Sequence, residues 1–285
     1  MRRRAVILAA CLLAVVMVAK AEPQRPAVRT VLDYTGLDYT GLDYLEDTAG
    51  KEAPYLPPSR IDPRFMVAFY VNTAGSGPNA QHMWVLQRTE LGGPWQLALW
   101  DRDYWAREGL AEGQTPPYSW PVSTGRKYPG DAKSGPTPRG VFALDERPYR
   151  MARGYTIEGM INVLYIDFHY PGGRRSGVAF HGTTHGRYGR LGTIASHGCI
   201  RMTQPNALAL IDRLQGRDGV LPEAMRWGEV PRFWTQEQGG NRFGFTRDGT
   251  PHPLGDIEAA GSAPADPPAV LTKTGYRAVA VIFRD

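Results

Sequence analysis

Short β-rich runs separated by glycine and proline dominate the chain from about Arg64 onward. The sequence contains 33 Gly and 24 Pro, and many of them lie between these runs. Such a pattern is typical of an all-β or mostly β domain. The predicted strands are residues 65–71, 83–88, 95–100, 118–123, 141–144, 161–170 and 177–181, followed by a last strand at 278–283 that can return to the main sheet.

Helix signals are fewer. Residues 101–108 are one candidate, and residues 203–214 are a better one. In the second, Thr203 suits the N-cap, Pro205 suits the first turn, and leucines together with Ile211 form an apolar face. This helix begins shortly after Cys199 and is therefore expected to support the loop that holds it.

The first 21 residues have the pattern of a signal peptide. Three arginines, Arg2 to Arg4, precede the apolar run 5–18, and small residues stand at Ala19 and Ala21. We expect cleavage after Ala21 and a location in the periplasm or cell envelope. Two alternatives stay open: an uncleaved membrane anchor, and lipidation at Cys11, which follows a lipobox-like Leu-Ala-Ala.

Removal of this segment changes the charge and the cysteine count. The formal net charge of +5 falls to +1 when Arg2, Arg3, Arg4 and Lys20 are lost, so a nucleic-acid partner is not indicated. Of the two cysteines, only Cys199 remains, which excludes an internal disulfide. A lone thiol in an oxidising compartment is either a packed core residue or a reactive group.

The regions on either side of the β-rich domain contain no chemical motif. Residues 22–64 are predicted to be a linker or a strap on the domain surface, and they contain a repeat of Leu-Asp-Tyr-Thr-Gly. Residues 65–215 form the predicted β-rich domain, which contains Cys199. Residues 216–285 are predicted to be a C-terminal extension packed on it.

The residues around Cys199 suit a nucleophilic thiol. A thiol attacks a carbonyl as its thiolate and therefore needs a basic or cationic partner. His197 and Arg201 lie two residues to either side, while His181 and His185 lie upstream. Consecutive N–H groups near Gly198 can stabilise an oxyanion, and Arg201 can pair with an anionic substrate group. A zinc site made by the three histidines and Cys199 is the alternative, although conventional finger spacing is lacking.

Three segments in order resemble the L,D-transpeptidase catalytic domain, also called the YkuD domain. They are Tyr118–Gly125 (YSWPVSTG), Thr137–Phe142 (TPRGVF), and the pair His181-Gly182-Thr183 and Ser196–Met202 (SHGCIRM). Seventeen residues separate His181 from Cys199, as is typical of the family. The resemblance covers residues 81–214 and implies a mixed β-sandwich or barrel-like fold with a few short helices.

The resemblance also implies roles for individual residues. Cys199 is the nucleophile and His181 the general base, oriented by the backbone carbonyl of Gly182. His197, Gly198 and Cys199 supply oxyanion N–H groups. The residues expected to shape the loop or contact substrate are Arg201, Ser196, Thr183 and His185, with His185 on a flap over the site. Neither a metal nor another cofactor is expected.

The expected activity is that of an exported cysteine L,D-transpeptidase acting on peptidoglycan stem peptides. A tetrapeptide donor loses its terminal D-Ala as a thioester forms on Cys199, and an acceptor resolves the thioester. The acceptor stays open among another stem, a D-amino acid, a lipoprotein and water. Water would make the protein an L,D-carboxypeptidase or amidase, and a non-catalytic wall-binding module is the alternative from a different class.

Overall fold

A computed structural model describes residues 40–52, 55–104, 117–145, 159–168, 175–231 and 272–285, with the backbone alone at 244–245 and 251–252. The chain divides into two compact units, Met1–Thr35 and Gly36–Asp285, and every described residue belongs to the second. The signal-peptide prediction therefore lies outside the described residues. Among the described residues, no helix combines the length and hydrophobicity needed to cross a membrane.

Strands make up most of the regular structure. They are β1 (Val67–Asn72), β2 (His82–Gln87), β3 (Gln96–Leu97), β4 (Ser119–Pro121), β5 (Gly140–Ala143), β6 (Leu164–Tyr165), β7 (Ala179–Gly182), β8 (Ile200–Met202), β9 (Trp227–Pro231), β10 (Gly244–Phe245), β11 (Pro251–His252), β12 (Thr272–Tyr276) and β13 (Ala278–Phe283). The helices are α1 (Thr40–Glu46), α2 (Gln204–Gln215), α3 (Glu223–Arg226) and two 3-10 helices, Pro58–Arg60 and His185–Arg190. The expectation of a mostly β fold with few short helices is confirmed.

The main sheet has the order β3-β2-β1-β13-β5, and β4 also pairs with β2. Its central pair, β1 and β13, is parallel, with Val67 opposite Ala278 and Asn72 opposite Phe283. The prediction that the last strand returns to the main sheet is thus confirmed. All six residues of β1 and of β13 are buried, because both faces of the sheet are covered.

The second sheet, β6-β7-β8, packs against one face of the main sheet. Phe69 on β1 meets Phe180 on β7 with ring centroids 5.5 Å apart. A bridge between Leu144 and Ile166 links the edges of the two sheets. This arrangement agrees with the sandwich or barrel-like class, and it gives β7 a rigid apolar backing.

The N-terminal segment covers the other face of the main sheet. The Tyr70 hydroxyl donates to the carbonyl of Leu56 at 2.8 Å, and the ring of Tyr55 meets Phe283 at 4.9 Å. Leu45, which follows the third copy of the repeat, is fully buried, and Tyr44 lies 5.3 Å from Trp84 between ring centroids. These contacts fit the strap interpretation, whose boundaries stay a prediction.

Each predicted strand overlaps an observed one, and the better of the two predicted helices is confirmed as α2. Thr203 occupies its N-cap, and Gly216 ends it with a φ of 69°. Of the weaker helix candidate, residues 102–104 are helical, residue 101 is not, and residues 105–108 lie outside the described residues. The short strands β8, β9, β10, β11 and β12 were not predicted, because two to five residues without clear alternation give no periodic signal.

Candidate active site

The parallel pairing of β7 and β8 brings the predicted catalytic residues together. His181 lies opposite Arg201, and Phe180 lies opposite Ile200. Side chains alternate along a strand, so Cys199, immediately before β8, emerges on the same face as His181 and Arg201. Phe180 and Ile200 point to the opposite face, into the core, where both are buried. The core thereby fixes the backbone that presents the polar face.

The Cys199 thiol is half-buried and unpaired. Its sulfur lies 3.4 Å from the carbonyl oxygen of Gly177, to which the S–H donates. Burial raises the pKa of the thiol, while the N–H of Ala179 and the positive charge of Arg201 act in the opposite direction. The resting group is therefore a neutral thiol at neutral pH, and a base is needed to produce the thiolate.

His181 is oriented by its own backbone neighbour. Its Nδ1 lies 2.7 Å from the carbonyl oxygen of Gly182, which can only accept, so Nδ1 bears the proton. Nε2 is left with a free lone pair. The side chain is 5% exposed, and burial lowers its pKa to about 4, with Gly182 opposing the shift and Arg201 adding to it. At neutral pH His181 is consequently a neutral imidazole able to accept a proton.

The cysteine loop, residues 195–199, is clamped by two segments that precede it in sequence. The Thr137 hydroxyl accepts from the Gly125 N–H at 2.7 Å and donates to the Gly198 carbonyl at 2.9 Å. Ser123 and Arg201 exchange two backbone hydrogen bonds of 2.9 and 3.0 Å. A Cβ at Gly125 would stand 2.5 Å from the Gly198 backbone, so only glycine permits this approach.

Ser196 closes the loop from within. Its Oγ accepts from the Gly198 N–H at 3.0 Å and donates to the Cys199 carbonyl. Of the expected oxyanion donors, the Gly198 N–H is thus engaged within the loop, whereas the Cys199 N–H has no partner among the described residues. Ser196 is fully buried and Thr183 is 4% exposed. Their assignment as substrate contacts stays a prediction, and their burial favours a structural role.

His197 is exposed and held on three sides. Its ring stacks on Tyr128 with centroids 4.5 Å apart and planes at 22°. The Arg201 guanidinium lies 3.3 Å from Nδ1, and Asp131 lies 3.5 Å from Nε2. Because the guanidinium can only donate, Nδ1 is the acceptor and Nε2 bears the proton that faces the carboxylate. This arrangement suits a positioning residue better than a second base.

His185 begins the 3-10 helix His185–Arg190, hereafter the flap helix. Its ring is exposed and lies 4.8 Å from the ring of Tyr188, between centroids. The Tyr188 hydroxyl accepts from the Gln204 N–H at 2.9 Å, and Gln204 Nε2 donates to the carbonyl of Gly159 at 2.6 Å. These bonds attach the flap helix to the start of α2, close to the end of β7.

Several contributors were missed by sequence reasoning. Tyr128 and Asp131 lie in the loop 126–135, and Gln204 is the first residue of α2; none of the three was predicted to contribute to the site. Thr137 lies in one of the segments that carry the family resemblance, but no role in the site was predicted for it. Among the described residues, no group of three or more His, Cys, Asp or Glu side chains is placed to hold a metal ion.

Comparison with known families agrees with this site. Residues 104–252 match the model of the L,D-transpeptidase catalytic domain, YkuD, a range that includes His181 and Cys199. The match covers just over half of the chain, and the protein belongs to this family. A search of curated proteins finds no match to the chain. Membership implies an enzyme class that acts on peptidoglycan stem peptides.

Proposed function

We propose that this protein is an exported L,D-transpeptidase in which Cys199 forms a thioester with a peptidoglycan stem peptide. The observation that supports this most strongly is the shared face of β7 and β8, where the thiol, a neutral imidazole and a guanidinium meet. Each group is in the protonation state that base-assisted attack by a thiol requires.

In the acylation step, His181 Nε2 takes the proton from the Cys199 thiol as sulfur attacks the carbonyl that precedes the terminal D-Ala. The oxyanion that forms is stabilised by the Cys199 N–H. The C–N bond then breaks, and the imidazolium returns its proton to the departing amine. The acyl chain remains on Cys199 as a thioester.

In the second step, an acceptor amine attacks the thioester and gives its proton to His181 Nε2. The C–S bond breaks, and the proton passes back to sulfur, which restores the thiol. Burial of His181 favours this cycle, because an imidazole whose pKa is about 4 releases a captured proton readily. Arg201 faces the same space and supplies the positive charge for a substrate carboxylate.

The test is incubation of the purified protein with tetrapeptide muropeptides and analysis of the products by mass. Cross-linked dimers support transpeptidation, whereas a shortened monomer alone would assign water as the acceptor. A Cys199→Ala variant is the control and should leave the muropeptides unchanged. Unchanged muropeptides with the wild-type protein would contradict the proposal and favour a wall-binding module.

Export is the second part of this proposal and rests on residues 1–21. Expression of the full chain followed by N-terminal sequencing of the protein in the envelope fraction tests it. A mature N-terminus at Glu22 is expected. A chain retained in the cytoplasm with Met1 intact would contradict it, and lipidation would instead place the first mature residue at Cys11.

A further inference from the structure

Arg187 and Arg190 lie within electrostatic range of Arg201, which is two residues after the proposed nucleophile. Arg187 and Arg190 are exposed on the flap helix, and Arg201 is half-buried on β8. Arg201 donates to the Ala195 carbonyl at 3.1 Å and lies 3.3 Å from Nδ1 of His197. Of the residues that the structure describes, no aspartate or glutamate forms an ion pair with any of the three arginines.

Two hydrogen bonds hold the flap helix close to the segments that flank Arg201, one from its middle and one from just after its end. The Tyr188 hydroxyl, between the two flap arginines, accepts from the Gln204 N–H at 2.9 Å. Just after the helix, the Gly192 N–H donates to the Val122 carbonyl at 2.7 Å. Val122 immediately precedes Ser123, whose backbone pairs with that of Arg201. Arg187 and Arg190 are therefore held near Arg201 by the backbone itself.

The positive charges of the two flap arginines act on Arg201. The pKa of Arg201 lies below its ordinary value, chiefly through burial, with the positive charge of Arg187 as the next cause and that of Arg190 as a further one. Like charges held together raise the free energy of each, and an anionic ligand relieves that cost. A planar guanidinium also matches a carboxylate with two parallel hydrogen bonds.

We infer that Arg187 and Arg190 bind a carboxylate of the donor stem, so that the enzyme selects donors whose diamino acid bears a free side-chain carboxylate over amidated ones. The inference rests on the proposed function. The diamino acid is the residue whose carbonyl Cys199 attacks, and its own carboxylate stands at the far end of a flexible side chain, where a group beside the thiol can meet it. The terminal D-Ala carboxylate is the other candidate, and Arg201 on β8 is placed to meet it.

Three donor tetrapeptides separate these roles: one with both carboxylates free, one amidated on the diamino acid side chain, and one amidated at its C-terminus. The acylation rate constant of each is measured by intact-protein mass for the wild type and the Arg187→Gln/Arg190→Gln variant. Arg217→Gln is the matched control, because it removes one arginine charge at the far end of α2, where Arg217 pairs with Asp212.

The wild type should prefer the free donor over the side-chain amide by about 10- to 100-fold, as expected for a charge-assisted contact. The double variant should lose most of that preference, keep the wild-type rate on the side-chain amide, and still discriminate against the C-terminal amide. Retention of the amide rate also shows that the variant is folded. Arg217→Gln should behave as the wild type.

Equal wild-type rates on the free donor and its side-chain amide would overturn the inference. It would also be overturned if the double variant kept the preference, or lost activity equally on all donors. Binding of the same peptides to Cys199→Ala, measured by calorimetry, gives a readout independent of turnover and should show the same preference. Absence of acylation by any donor would instead contradict the proposed function.

Discussion

The Thr137 hydroxyl donates to the carbonyl of Gly198 at 2.9 Å, which ties the residue before Cys199 to a segment sixty residues upstream. The same hydroxyl accepts from the Gly125 N–H. Thr137 is 4% exposed, so both bonds are shielded from water. One side chain thus joins all three segments that carry the family resemblance.

Replacing Thr137 with Val keeps the shape and removes both hydrogen bonds. Two buried backbone groups lose their partner, so the free energy of unfolding should fall by about 2–4 kcal/mol. Denaturant unfolding measures this loss, and the acylation rate should fall with it. Thr193→Val is the control, since that exposed hydroxyl donates only to the Arg190 carbonyl. Equal unfolding midpoints for Thr137→Val and the wild type would contradict the clamp.

Gly125→Ala tests the close approach of the same segments. The added methyl group would lie 2.4 Å from the Gly135 carbonyl oxygen and 2.5 Å from the Gly198 backbone, neither of which is a flexible side chain. The cysteine loop must shift, and a displacement near 1 Å lowers acylation by about 100-fold.

Gly186→Ala on the flap helix serves as the matched control, because a Cβ there meets nothing within 4 Å. It should acylate at close to the wild-type rate. Should Gly125→Ala also acylate at that rate, the cysteine loop would not depend on this packing.

The two histidines nearest Cys199 should behave differently when replaced. His181→Asn removes the base and should lower kcat by about 10²- to 10⁴-fold. His197→Asn keeps an acceptor for Arg201 and should mainly raise KM, because His197 positions the guanidinium. Steady-state kinetics separate the two effects. A larger loss of kcat in His197→Asn than in His181→Asn would reverse the assignment of the base.

The thiol should titrate as a neutral group and not as part of a preformed ion pair. Burial raises the pKa of Cys199 above its ordinary value, so the thiolate population grows only in alkaline solution. The rate of alkylation by iodoacetamide, followed by intact mass, should still be rising at pH 9. A rate that is flat between pH 6 and pH 8 would indicate a thiolate paired with imidazolium and contradict this account.

His181 should make the free energy of unfolding depend on pH in the acidic range. Its pKa of about 4 lies below the ordinary value of 6.5, so the folded protein binds this proton less readily than the unfolded chain does. The free energy of unfolding should therefore decrease by about 3 kcal/mol as the pH falls from 6.5 to about 4. His181→Asn should lack this contribution in pH-dependent denaturation. An unchanged pH dependence in the variant would contradict the burial of a neutral imidazole.

Local sequence signals predicted much of the fold. The runs that became β1, β2, β5 and β13 are apolar and lie between turn residues, and α2 has both its cap and its first-turn proline. The order of the strands in the main sheet could not be predicted from the sequence, because the parallel pairing of β1 with β13 joins residues more than two hundred positions apart. Such pairings depend on the packing of both sheet faces and have no local signal.

In the site, too, local motifs could be recognised in the sequence, whereas contacts between distant segments could not. A spaced motif predicts His181 and Cys199 as the catalytic pair, and the structure places His181 on β7 and Cys199 immediately before the neighbouring strand β8. Tyr128 and Asp131 were missed because their contact with His197 depends on how the loop 126–135 folds back. The hydrogen bond from the Gly198 N–H to Ser196 could not be predicted either, because a sequence shows which donors exist and not where they point.

The central claim is that Cys199 becomes acylated by a stem peptide, and intact-protein mass spectrometry tests it most directly. After brief incubation with a tetrapeptide donor, the protein should gain the mass of the donor minus its terminal D-Ala, on a peptide that contains Cys199. The Cys199→Ala variant should gain nothing. Product formation by the variant, or an adduct on any other residue, would contradict the assignment of Cys199 as the nucleophile.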